Sequence, residues 1–176
     1  FVFDYGYNHI FNELLPIFKK LKKKLIVNCQ SNSYNFGFNK ADKYLNCEIL
    51  GLDEPEFRLL LNEKTKDIKK LILQNKKKFK NIGTLIITTG KNGCHILHKR
   101  KYYFIPSIIK EMKDTTGCGD VFLTIFGILK ISKLFNIEEI AIISHIAAGI
   151  HGSNLGNGKN IDHKKLTQIT KNILNV

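Results

Sequence analysis

Arginine is almost missing from this basic chain. Only Arg58 and Arg100 occur, although Lys and Arg together number 28 against 15 acidic residues and leave a net charge of +13. Proteins that read bases specifically lean on Arg for bidentate contacts. The lysines cluster instead in helix-like segments, at Lys19-Lys20, Lys22-Lys23-Lys24, Lys69-Lys70 and Lys76-Lys77-Lys78, beside an excess of Asn and Ile. The charge therefore reads as Lys on solvated faces. No specific nucleic-acid partner is expected, although a general positive field would attract phosphorylated substrates. Proline is scarce too: three residues leave no Pro-rich spacer, and no repeat or linker divides the chain. The four cysteines, at 29, 47, 94 and 118, form no CxxC pair. That spacing indicates neither a zinc site nor a redox motif; it suits small buried residues of a reducing compartment. No apolar stretch reaches transmembrane length without a charge or a Gly break, and no signal peptide is visible. The expectation is a cytoplasmic protein without a membrane partner.

The 176 residues, 43% of them apolar and 24% charged, have the composition of one globular domain spanning 1–176. The chain opens on Phe1-Val2-Phe3, which reads as a fragment beginning within a strand. Further short apolar runs lie at 25–29, 48–52 and 84–89, and a hairpin is expected from 94–99 and 102–105, turning across His98–Lys101. Helical patterns cover 8–23, 54–62, 65–79, 117–132, 138–151 and 163–174. The Asn-rich stretch 30–39 reads as a solvated loop. Strands separated by helices predict an α/β fold with a mainly parallel sheet. Ligands in such folds bind beyond the carboxyl ends of the strands. The polar residues after each apolar run are thus the candidates: Asp4, 28–39, 53–56, 89–93 and 114–120.

The run Asp114-Thr115-Thr116-Gly117-Cys118-Gly119-Asp120 is the most informative of these. Thr115 and Thr116 are good cap residues for a helix starting there. Gly117 and Gly119 let an anion approach the free N–H groups of the first turn, where the helix dipole is positive. A carboxylate at Asp120 would oppose simple anion binding. It makes sense as a base that takes a proton from a nucleophile attacking that anion, the arrangement phosphoryl transfer needs. Two other nucleotide motifs are excluded. Phe122 stands where a dinucleotide fingerprint needs its third Gly, and Gly90-Lys91 is followed by Asn92 with no Gly five residues before Gly90.

The full run resembles the signature of the PfkB/ribokinase family of carbohydrate kinases, with Cys118 in place of the usual Ala and Val121-Phe122 following. The resemblance implies a ribokinase-like three-layer α/β/α fold of which this chain is the C-terminal portion, the N-terminal part being missing. It implies Asp120 as catalytic base and Gly117, Cys118 and Gly119 as the anion hole. Thr88-Thr89-Gly90-Lys91-Asn92-Gly93, alone an ordinary hairpin turn, resembles the family's nucleotide-side turn and places Thr89, Gly90 and Gly93 near ATP. Thr115 and Ala148, the latter on a late helix with Ala147 and Gly149, would also face the nucleotide. Asp53-Glu54-Pro55-Glu56 suits a helix start by itself. It also resembles the family's Asn-x-x-Glu motif, in which Glu56, with Asp53 where Asn is usual, would help hold Mg²⁺. Asp114, Asn28 and Asn35 are the implied contacts to a sugar or sugar-phosphate substrate. The 28–39 stretch, with Asp4-Tyr5-Gly6 and 53–58, is similar to the branch of heptose-phosphate kinases. A homodimer and a fused or partner nucleotidyltransferase are compatible with that branch, as is a catalytically inactive, nucleotide- or partner-binding version of the domain.

Overall fold

The computed structural model describes residues 1–6, 8–21, 24–108, 112–153 and 161–174. Among them lie six strands, β1 (Val2–Asp4), β2 (Ile26–Cys29), β3 (Ile49–Asp53), β4 (Thr84–Thr88), β5 (Cys94–His98) and β6 (Lys101–Ile105). They make one sheet in that order. The first four are parallel, in a register that sets Asp4 opposite Cys29 and Asp53 opposite Thr88 at the carboxyl ends. Their apolar, β-branched composition follows from burial on both faces: Ile49, Leu50, Leu85, Ile86 and Ile87 are all fully buried. At the other end of the sheet β5 runs back along β4, with His98 Nδ1 2.8 Å from Thr84 Oγ1. The expected β5–β6 hairpin turns through Lys99 (φ 48°) and Arg100 (φ 65°), both left-handed as a two-residue type I′ turn requires.

Six helices are described: α1 (Asn8–Leu21), α2 (Glu54–Leu61), α3 (Ile68–Gln74), α4 (Cys118–Ser132), α5 (Ile137–Gly152) and α6 (His163–Leu174). The helix expected over 8–23 ends at Leu21, and Lys22 and Lys23 lie outside the described residues. The pattern over 65–79 yields a shorter helix. Asp67 caps α3 by accepting the Lys70 N–H (3.0 Å), and Asn75 ends it by donating its amide to Leu71 O (2.9 Å). Phe79 then enters the core from a turn. The Thr115-Thr116 caps expected for α4 do not form either. Gly117 is the cap, with φ 75° and no side-chain bond, because the chain enters the helix through a left-handed residue.

The chain divides into two compact units, one of Phe1–Thr89 with His95–Phe104, the other of Gly90–Cys94 with Ile105–Val176. In the first, Phe57 of α2 and Phe79 pack at 5.9 Å among Leu50, Leu52, Ile72, Leu85 and Ile87. In the second, Phe122, Leu123 and Phe126 of α4 and Ile140, Ala141 and Ile146 of α5 are buried. His145 of α5 is buried edge-on to Phe122 at 4.9 Å, and burial pushes its pKa down to about 4, so it sits neutral. No described helix is long and apolar enough to cross a membrane.

Phe57 has no exposed surface. Phe57→Ala should therefore cost about 3–5 kcal/mol by the loss of burial and the cavity it leaves, read as a shift in urea midpoint at unchanged slope.

Candidate active site

The 112–120 segment is strapped onto the last turn of α5. The N–H groups of Lys113 and Asp114 both donate to Gly152 O, at 2.8 and 3.1 Å. Gly152 lets the strap lie close, since a Cβ there would stand 2.9 Å from Cys118 Sγ and 3.0 Å from Asp114 O and push both back. Asp114 turns the chain by accepting the Thr116 N–H (2.9 Å), and His151 Nε2 lies 3.0 Å from Thr116 O, a donor to that carbonyl. The Cys118 thiol points inward to Ala148 O (3.4 Å) and Asp114 O (3.8 Å). Burial, then the Asp114 charge, raises its pKa, so it stays a thiol.

This strap leaves the start of α4 facing outward. The Cys118 N–H turns back to Thr115 O (3.1 Å), and the helical ladder begins with Val121 N–H to Gly117 O (3.0 Å). Between them, the Gly117 and Gly119 N–H groups find no acceptor among the described residues. The space where Gly119 would carry a Cβ is open to 4 Å. Asp120 is half-buried in the same first turn. The second unit thus brings together Asp114, Thr115, Gly117, Cys118, Gly119, Asp120 and Ala148, seven of the residues singled out from sequence.

In the first unit the candidates lie around the carboxyl ends of the strands. Glu56 and Asp53 form a reciprocal cap on α2: Asp53 Oδ1 accepts the Glu56 N–H (2.8 Å), and Glu56 Oε2 accepts the Asp53 N–H (2.7 Å). Glu56 Oε1 also takes the Ser31 N–H (2.9 Å) from the segment after β2. Burial, then the neighbouring Asp53 charge, pushes the Glu56 pKa up to about 7. Among the described residues no three His, Cys, Asp or Glu side chains converge. Each Glu56 oxygen carries one N–H and keeps one lone pair. That donor set fits a cation held largely through waters and phosphate oxygens, as Mg²⁺ is, and does not fit an all-protein cage.

Asn28 is buried in β2, opposite Phe3 and Gly51. The 30–39 stretch departs from a solvated loop, because Asn35 and Asn39 are buried. Asn35 spends its amide on its own surroundings, donating to Tyr5 O (2.7 Å) and accepting the Asn32 N–H (2.8 Å). Thr89 is half-buried just after β4, and the following turn needs Gly90 (φ 56°) and Gly93 (φ 110°). A Cβ at Gly93 would lie 2.1 Å from Ile105 O.

One cluster went unread in the sequence. The Asp4 carboxylate, buried at the end of β1, accepts the Gly6 N–H and the Tyr44 hydroxyl, both at 2.8 Å, and pairs with Lys43 Nζ at 2.7 Å. Asp4 was visible as a polar residue after an apolar run. Lys43 was hidden among many lysines, and Tyr44 lies far along the chain on a 3-10 turn, Ala41–Tyr44.

The pfkB family carbohydrate kinase pattern matches residues 8–126. The chain belongs to that family. Among curated proteins it is 32% identical to the bifunctional protein HldE of Nitratiruptor sp., over 67% of this chain and 26% of that protein. It is 27% identical to the bifunctional protein HldE of Campylobacter fetus, over 87% of this chain and 33% of that protein. Among solved structures, a putative sugar kinase from Clostridium perfringens superposes with a TM-score of 0.79 at 17% identity, covering 97% of this chain and 54% of the other. Arabidopsis thaliana ribokinase complexed with ribose and ATP gives 0.73 at 20%, covering 89% and 51%. The fold is therefore the ribokinase-like α/β fold. The chain spans about half the length of these solved kinases and no more than a third of these curated relatives.

Burial alone would raise the Asp4 pKa, but Lys43, Gly6 and Tyr44 outweigh it and hold the carboxyl below 3.8. A carboxylate depressed by folding contributes stability above its unfolded pKa and loses it as the pH falls through the folded value. Asp4→Asn should cost roughly 2 kcal/mol or more at neutral pH. The difference from wild type should shrink in acid as the pH falls through the lowered Asp4 value, followed by denaturant titration across pH.

Proposed function

We propose that residues 1–176 form the C-terminal portion of one kinase domain that transfers the γ-phosphoryl group of ATP to a hydroxyl of a sugar or sugar phosphate. The observation that carries this reading is the first turn of α4, where Gly117 and Gly119 N–H groups without an acceptor among the described residues share one turn with the Asp120 carboxylate. Asp120 takes the proton of the acceptor hydroxyl. The Gly117 and Gly119 N–H groups, with the dipole of α4 behind them, stabilise charge on the transferred group. The Cys118 N–H is already engaged with Thr115 O, so Cys118 contributes by packing, its thiol locking the turn against Ala148.

Bound ATP supplies the phosphoryl group, and Mg²⁺ offsets charge between its oxygens. Thr89, Gly90, Gly93, Thr115 and Ala148 form the nucleotide side, where small residues let the nucleotide approach. Glu56, with Asp53, orients the waters of the cation. Asp114 and Asn28 contact the substrate, and Asn35 acts by holding the loop that carries Asn32 and Ser33. Four free cysteines suit a reducing cytoplasm. The word bifunctional in the relatives' names, and the small share of each that this chain covers, support a second activity, a nucleotidyltransferase fused to the kinase or acting as its partner.

In the complete protein, Asp120→Asn should lower sugar-dependent ATP turnover by about 10²–10⁴-fold while the ATP dissociation constant stays within a few-fold. Near-normal turnover would remove Asp120 as the base. ATP binding without turnover in the wild type, across a panel of sugar phosphates, would point instead to an inactive kinase-like domain.

A further inference from the structure

The strap reaches α4 through one β-turn, Thr115–Cys118, closed by the Cys118 N–H donating to Thr115 O at 3.1 Å. Gly117 holds the third position of this turn at φ 75° and ψ −4°. Thr116, in the second position, has no positive φ. That combination is a type II turn; a type I′ turn would need positive φ at both central residues. Types I and II differ by reversal of the single peptide between the central residues, here the Thr116 C=O and the Gly117 N–H. The ψ of the third residue is near zero in both, so α4 starts in the same way whichever is adopted. Neither central residue decides between them. Gly tolerates φ of either sign, and the commoner type I turn accepts most residues at its second position.

The deciding contact comes from His151, in the last turn of α5. Its Nε2 lies 3.0 Å from Thr116 O, and a carbonyl oxygen only accepts, so this nitrogen carries the proton. Among the described residues it is the one hydrogen bond made by the Thr116–Gly117 peptide. The bonds of Lys113 and Asp114 to Gly152 O set the path of the strap but do not involve that peptide. A trans peptide is planar, with its C=O and N–H pointing opposite ways. Anchoring Thr116 O on the imidazole therefore sends the Gly117 N–H away from it, to the side where no described residue accepts it. Reversal would put a carbonyl oxygen where that N–H stands, an acceptor facing an anion. We propose that His151 is a positioning residue, whose bond to Thr116 O holds the 115–118 turn in type II and so keeps the Gly117 N–H aimed at the transferred phosphoryl group. The last step rests on the kinase reading; the hold on the turn does not.

The test compares the complete wild-type protein with His151→Leu, which keeps bulk and loses the donor, and with His151→Gln, which returns a donor on a side chain of similar reach. Nuclear Overhauser effects read the turn without any ligand. In type II the Thr116 α-proton lies against the Gly117 amide proton; in type I the amide protons of Thr116 and Gly117 face each other. Wild type and His151→Gln should show the first pattern and His151→Leu the second, with the melting temperature nearly unchanged because the bonds to Gly152 O remain. In His151→Leu, kcat should fall about 10–100-fold while KM for ATP and for the sugar stays within about three-fold, and His151→Gln should recover most of the loss. A His151→Leu protein that keeps the type II pattern, or that changes pattern at full kcat, overturns the proposal. So does His151→Gln as slow as His151→Leu. A His151→Leu protein that melts much earlier overturns it too, because the bond then holds the whole strap. A wild type that turns over no sugar, yet loses the type II pattern in His151→Leu, removes the kinase reading and upholds the hold of His151 on the turn.

Discussion

The geometry at the start of α4 depends on one carbonyl. Gly152 O, at the end of α5, accepts two successive N–H groups from the incoming strap, and the absence of a side chain at 152 lets the strap lie close enough to do so. With Lys113 and Asp114 held there, the chain has only three residues in which to reverse direction and begin a helix. The Asp114 side chain supplies part of that turn and the left-handed Gly117 supplies the rest. The donors left over, on Gly117 and Gly119, are the residue of this constraint. A conventional Ser or Thr cap would have satisfied one of them from the inside. Their exposure is what makes the turn chemically useful, because an unsatisfied pair of N–H groups at a helix start has no better partner than an anion.

Much of this was legible in the amino-acid order. The strands at 25–29, 48–52 and 84–89 announce themselves by short, largely apolar runs, and the structure differs from those bounds by a residue or so. The hairpin was legible from its spacing even though Lys99 and Arg100 are unusual residues for left-handed backbone. The 114–120 run identified the family by itself. Its cap was misread because two threonines ahead of a helix satisfy the local rule, while the distant Gly152 decides the path. The Asn-rich stretch misled in the same way. Asn is polar enough to suggest solvent, but Asn35 and Asn39 are buried because their amides replace the backbone partners that an irregular loop lacks. Neither tertiary partner, Gly152 for the strap nor Tyr5 for the loop, is signalled by anything near the residues it holds.

Electrostatics divides the chain unevenly. The abundant lysines lie mostly on exposed faces, where each contributes little. The ionic contact that matters most is Lys43 with Asp4, because the carboxylate is buried and its remaining lone pairs are filled by Tyr44 and Gly6. That pair ties the end of β1 to the 3-10 turn and closes the 30–39 loop from below, with the Asn39 amide between them. The loop bearing the exposed Tyr34, Phe36 and Phe38 is therefore anchored by charge at its base and neutral at its tip.

Glu56 links the start of α2 to the segment that follows β2. One of its oxygens holds the N–H of Asp53, the residue that caps α2, and the other holds the N–H of Ser31 at the start of the 31–39 loop. A single buried side chain thereby ties the strand end that bears Asp53 to the segment that opens the 31–39 loop, so a change of side chain at 56 would be felt at both places.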